Sequence, residues 1–192
     1  MALSFRGVVA GLALMAAASA QTPGVQLVIE TELGNIEIAI DPAHAPKTAA
    51  NFLRYVDSGA YNGGHFHRTV KPDNQPANNV KIEVIQAGPT PGLKSFAPVP
   101  LERTSITGIL HKDGAVSMAR DGPDSATADF FICIGDQPSL DFGGKRNADG
   151  QGFAAFGHVT RGMDIVRRIQ GQPSDAQQHL TPPVKILRIT RK

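Results

Sequence analysis

Apolar and polar residues alternate along much of the chain beyond residue 25. Gln26 to Thr31 and Asn35 to Ile40 alternate on either side of Glu32-Leu33-Gly34-Asn35, which predicts a hairpin. After Pro42 and Pro46 the period changes. Ala49, Phe52, Leu53 and Val56 fall at i, i+3, i+4 and i+7, which predicts an amphipathic helix that stops near Gly59. His65 to Val70 and Val80 to Ala87 return to strand patterning, separated by the loop Pro72-Asp73-Asn74-Gln75-Pro76. Residues 88–114 are rich in Gly, Pro, Ser and Thr and predict little regular structure. Gly114 to Ala119 and Phe130 to Ile134 predict buried strands flanking a polar loop. A second long loop, Leu140 to Gly152, precedes a strand at Ala154 to Val159. Met163, Val166 and Ile169 then mark one face of a second helix, ended by Gly171 and Pro173. Val184 to Thr190 alternates as a last strand.

This order lacks the helix between successive strands that a parallel sheet requires. It predicts a mainly β, largely antiparallel sheet with helices at its ends, and periodicity leaves barrel and sandwich both open. No repeat or linker divides the chain. The first twenty residues read as an address. Arg6 is the sole charge before residue 30, Gly7 to Ala16 is apolar, and Ala18-Ser19-Ala20 supplies small residues for cleavage. The expected layout is a signal peptide at 1–20 and one domain at 21–192. The apolar run is short for a bilayer span and no second run of that length follows. The mature chain is therefore expected to be periplasmic or secreted, with no membrane association after cleavage.

Composition narrows the chemistry. The 192 residues carry 19 Lys and Arg against 17 Asp and Glu, a net charge of only +2, so nucleic acid is not an expected partner. One cysteine excludes an internal disulfide and a Cys-rich metal site. That residue, Cys133, lies in Phe130-Phe131-Ile132-Cys133-Ile134 and reads as a buried small hydrophobe. There is no Gly-x-Ser-x-Gly elbow, no phosphate-binding Walker loop and no strand-linked Gly-x-Gly-x-x-Gly. His65 and His67 share one strand face, but no third ligand stands at a recognisable spacing. His44, His111, His158 and His179 read as surface or turn residues. Asn147-Ala148-Asp149-Gly150 lacks the spacing and terminal Glu of a calcium loop. Neither a metal nor a cofactor is expected.

Several short motifs occur in a fixed order: Phe66-His67-Arg68, Ile85-Gln86-Ala87-Gly88, Gly114-Ala115-Val116-Ser117-Met118-Ala119 and Asp129-Phe130-Phe131-Ile132. Ala45-Pro46-Lys47-Thr48-Ala49-Ala50-Asn51-Phe52 precedes them. Phe156-Gly157-His158-Val159 and Gly162-Met163-Asp164-Ile165-Val166 follow. The series resembles the cyclophilins, a family of peptidyl-prolyl cis-trans isomerases, from about Val25 to Ile189. The resemblance implies a closed eight-stranded antiparallel β-barrel capped by two α-helices. It implies isomerisation of X-Pro bonds, proline-containing peptides and unfolded secreted proteins as partners, and a monomer. It places the catalytic guanidinium on Arg68, a backbone-binding amide on Gln86, the floor of a proline pocket on Phe131 and an apolar wall on Leu140. Val84 takes the place of a wall methionine, and Ala119 lines the groove.

The chain departs from the family pattern at several substrate-binding positions. Arg120 stands where an asparagine usually binds peptide backbone, and a guanidinium donates but does not accept. Counted back from Gln86, the usual proline-pocket phenylalanine falls on Glu83, beside the inserted stretch 72–80. A carboxylate in an apolar slot is costly unless paired, so Glu83 is expected to turn toward Arg68 or Arg120 and steady it. Asp129 replaces a glutamine, Ser139 an aromatic and Phe153 a histidine, with Phe153 expected to refill apolar area lost at Glu83. Glu83 and Asp129 favour an alternative, a peptide-binding chaperone or scaffold of the same fold with weak or no isomerase activity. A third reading, an unrelated secreted ligand-binding barrel, requires the motif series to be chance.

Overall fold

The computed structural model describes residues 24–192, so the expected signal peptide lies outside the described residues. Eight strands form one ring: β1 (Val25–Thr31), β2 (Gly34–Ile40), β3 (His65–Val70), β4 (Val84–Gly88), β5 (Ala115–Met118), β6 (Phe130–Cys133), β7 (Ala154–Arg161) and β8 (His179–Arg191). They follow each other around the barrel as β1-β2-β7-β5-β6-β4-β3-β8, every pair antiparallel, and β8 closes on β1. The choice that alternation left open thus resolves to a barrel.

Two longer helices, α1 (Pro46–Asp57) and α3 (Met163–Gln170), cap it; α2 (Thr104–Thr107) is a single turn in the 88–114 connection. Pro46 occupies the first turn of α1, where its fixed φ suits the helix and no N–H is missed. Ser58 ends the helix and Gly59 follows at φ 70, a left-handed turn that glycine takes without a Cβ penalty. Phe52 and Tyr55 of α1 are fully buried. Phe52 meets Phe130 edge-on at 5.2 Å and Phe156 at 5.0 Å, so one helix face seals the aromatic centre of the barrel. Val166 and Ile169 of α3 join the same core.

Two differences from the sequence pattern matter for the site. The strand expected at Val80 to Ala87 begins only at Val84. Ahead of it, the Gln75 side chain substitutes for a neighbouring strand. Its Nε2 donates to the Ile82 carbonyl at 2.8 Å, and the Ile82 N–H donates to its Oε1 at 3.2 Å. The second difference is a bulge in β3. The register slips between Phe66 and Arg68 against both β4 and β8. Residues two apart in a regular strand share a face. The extra residue, His67, reverses that parity: Phe66 enters the core while Arg68 faces outward.

Candidate active site

A second, smaller apolar cluster lies on the outer face of the barrel. Val70, Ile82, Val84, Ala115, Phe131, Cys133 and Leu140 form it, with Ala119 and Phe153 packed against its edge. Alternation explains the separation from the main core. In β4, Ile85 and Ala87 point inward while Val84 and Gln86 point outward; in β6, Phe130 and Ile132 point inward while Phe131 and Cys133 point outward. Above this cluster opens a cleft of about 400 Å³, bordered by Arg68, Gln86, Asp129, Arg120 and Arg146.

Arg68 is held by amides alone. Its Nη1 donates to Gln86 Oε1 at 3.1 Å, directly across the β3–β4 ladder. Its Nε and Nη2 both donate to Gln178 Oε1, at 3.1 and 2.6 Å. Gln178 is 9% exposed and is fixed in turn by donating from Nε2 to the Asn74 carbonyl at 2.9 Å. It adopts φ 74, uncommon outside glycine, so the backbone is constrained where it presents this amide. Neutral acceptors orient the guanidinium without cancelling its charge. Burial lowers the Arg68 pKa from the ordinary guanidinium value, and such a group remains charged at any physiological pH.

Gln86 is oriented from its other end, where Nε2 donates to Asp129 Oδ2 at 3.3 Å. His67, the bulge residue, stands 3.6 Å from the same carboxylate oxygen. Desolvation lowers the His67 pKa, with Asp129 opposing it. Gly88 leaves space for Asp129, because a Cβ there would meet its Oδ1 at 2.4 Å. Among the described residues no group of three or more His, Cys, Asp or Glu could hold a metal ion.

The apolar slot combines expected and unexpected side chains. Phe131 and Phe153 meet edge-on at 5.3 Å, and Leu140, Val84 and Ile82 complete the wall. Glu83 is absent from the slot. It has the parity of the inward-facing Ile85, opposite to Val84 and Gln86, and its Oε2 accepts from Gln170 Nε2 of α3 at 2.9 Å. Ile82 lines the slot instead, and Glu83 contacts neither Arg68 nor Arg120 in the hydrogen-bond network of the described residues. The costly carboxylate expected in the slot is therefore not there.

Arg120 also differs from a peptide-binding asparagine. Its side chain is 1% exposed and forms a two-pronged ion pair with Asp149 at 2.8 and 3.0 Å. Its Nε donates to the Gly152 carbonyl at 2.8 Å, and its guanidinium lies 5.0 Å from the centre of the Phe153 ring. Arg120 thereby straps the 141–152 loop to the slot. His111, expected at the surface, is buried at 1% exposure and stacks behind Phe131 with ring centres 5.9 Å apart. Asp141 Oδ1 accepts from its Nδ1 at 2.7 Å, which leaves Nε2 to accept from the Ser117 hydroxyl at 3.0 Å in the neutral ring. The sequence reading therefore missed Ile82, His111, Arg146 and Gln178. Ile82 could have been found from alternation with Val84; Gln178 has no local signature.

Comparison with known proteins agrees with this geometry. Residues 26–191 match the family model for cyclophilin type peptidyl-prolyl cis-trans isomerase. The chain is 34% identical to peptidyl-prolyl cis-trans isomerase A of Dickeya dadantii, covering 84% of this chain and 79% of that one. It is 35% identical to the isomerase cyp18 of Streptomyces antibioticus, covering 82% and 90%. It is 34% identical to a peptidyl-prolyl cis-trans isomerase of Acinetobacter baylyi, covering 96% and 93%. A crystal structure of a cyclophilin type isomerase from Cryptosporidium parvum superimposes with a TM-score of 0.70 at 21% identity, covering 88% of this chain and 98% of that one. The protein belongs to the cyclophilin-type peptidyl-prolyl cis-trans isomerases.

Proposed function

We propose that the outer-face cleft is where this isomerase turns X-Pro bonds, with Arg68 as the catalytic residue. Amide resonance sets a barrier of ~18–20 kcal/mol to that rotation. A guanidinium aimed at the imide nitrogen holds its lone pair out of conjugation, an interaction the planar ground state does not offer, so binding favours the twisted transition state. Rotation breaks no covalent bond. A differential gain of ~4 kcal/mol corresponds to about a thousandfold in rate. Support comes from one observation above all: Arg68 keeps an uncompensated charge beside an apolar slot, oriented by Gln86 and Gln178.

In this reading the proline ring lies against Phe131, Leu140, Val84 and Phe153, Gln86 engages substrate backbone, and Ala119 and Asp129 border the groove. Proline-containing segments of unfolded exported proteins are the substrates, and a monomeric chain acts in the periplasm or outside the cell after losing residues 1–20. No helix among the described residues is long and apolar enough to cross a membrane. Arg68→Ala is expected to lower kcat/KM on an X-Pro peptide by about a thousandfold in a protease-coupled assay, with the fold intact by circular dichroism. Full activity in that variant removes the assignment. Cell fractionation, with N-terminal sequencing of the mature chain, tests export.

A further inference from the structure

The cleft holds a guanidinium that bond rotation does not need. Arg146 lies in the 141–152 loop and borders the same cavity as Arg68. Its Nη1 donates to Gln75 Oε1 at 2.8 Å and to the Val80 carbonyl at 2.7 Å. Gln75 is 1% exposed and tied to the Lys71 and Ile82 carbonyls, so it anchors one edge of the guanidinium firmly. Nη2 and Nε of Arg146 make no hydrogen bond among the described residues. The loop is itself strapped down by Arg120 and Asp149.

Neither Arg146 nor Arg68 has a carboxylate within 4.0 Å among the described residues. Two acids, Asp121 and Asp129, border the same cleft. Asp129 is engaged by Gln86 and His67, and the Asp121 carboxylate forms no ion pair with either arginine among the described residues. Burial, followed by the charge of Arg68, lowers the Arg146 pKa. Two like charges in a partly desolvated cleft repel, and a substrate anion beside Arg146 offsets that repulsion and supplies acceptors to its free Nε and Nη2, while Arg68 stays directed at the imide.

We propose that Arg146, acting beside Arg68, is a specificity determinant that makes this isomerase favour peptides carrying a carboxylate next to the proline. The inference rests on the cleft being the isomerase site. The carboxylate has two sources, an Asp or Glu side chain adjoining the proline or the free end of a chain terminating there.

NMR exchange measurements on end-blocked peptides with Glu, Gln or Lys on either side of proline distinguish the possibilities without a coupling protease. A separate pair ends at proline as free acid or carboxamide. The expected kcat/KM for a carboxylate peptide is about tenfold above its neutral isostere at low ionic strength. That ratio shrinks as salt rises to about 1 M, where screening acts within ~3 Å. Preference in the blocked Glu series assigns a side-chain carboxylate; preference in the free-acid pair alone assigns a chain terminus. Arg146→Gln collapses the ratio toward one and Arg146→Lys keeps most of it. Equal wild-type rates for carboxylate and neutral peptides in both series overturn the proposal, whatever the variants do, as does a preference that survives Arg146→Gln. Failure of the site assignment looks different: turnover persists in Arg68→Ala.

Discussion

Gln178 gives up a comfortable backbone conformation and offers one oxygen to two Arg68 donors. Glu83, one residue from the slot, contributes nothing to it because its parity sends it to Gln170. Glu83→Gln is therefore expected to leave kcat/KM on an X-Pro peptide within about twofold of wild type, since the substitution retains an acceptor for Gln170. A tenfold loss in the coupled assay would reinstate Glu83 as a partner of the Arg68 guanidinium. Legibility at this scale was uneven for physical reasons. Arg68, Gln86 and Phe131 stood in short motifs, and the structure brings them together. Ile82 was legible from alternation alone: if Val84 and Gln86 share a face, Glu83 cannot join them. Gln178 was hidden because it meets Arg68 across 110 positions of sequence, a distance over which no periodicity reports.

Among elements, the hairpin β1–β2, the helices α1 and α3 and the strand β3 lie where the hydrophobic periods put them. The bulge in β3 could not be read that way, since strict alternation puts Phe66 and Arg68 on one face. The 141–152 loop was equally opaque: it is held by side chains distant in sequence, Arg120 on Asp149 and Arg146 on Gln75, rather than by a repeating pattern. The Arg120 hydrogen bond lowers the Asp149 pKa from the ordinary carboxylate value, with the backbone N–H of Gln151 adding to it. The stabilising contribution is whole above that ordinary value, about 3.9, and disappears as pH falls through the lowered one. Asp149→Asn is expected to remove this acid-dependent step and to speed amide hydrogen exchange across 141–152 at neutral pH, leaving β1 to β8 unaffected. Unchanged exchange in the loop would show that Arg120 does not secure it.

For the whole molecule, two apolar clusters share one ring of strands. Cys133 belongs to the outer cluster yet is fully buried beneath the cleft. Burial pushes its thiol pKa well up, with Asp141 and Asp113 adding to the effect. Reactivity requires the thiolate and access to it, so both are suppressed in the folded chain. A thiol reagent at about pH 8 is expected to leave Cys133 unmodified in the native protein and to label it fully in denaturant, so that labelling follows global unfolding. Rapid native labelling would mean that the outer cluster opens independently of the barrel.

The pairing of β8 with β1 has one more consequence. Each strand in the ring already has two partners, so an extended chain lying in the cleft finds no row of free backbone groups to which it could add itself. A proline-containing peptide is thus met by side chains and loops rather than by a strand edge, and leaves without having become part of anyone's sheet.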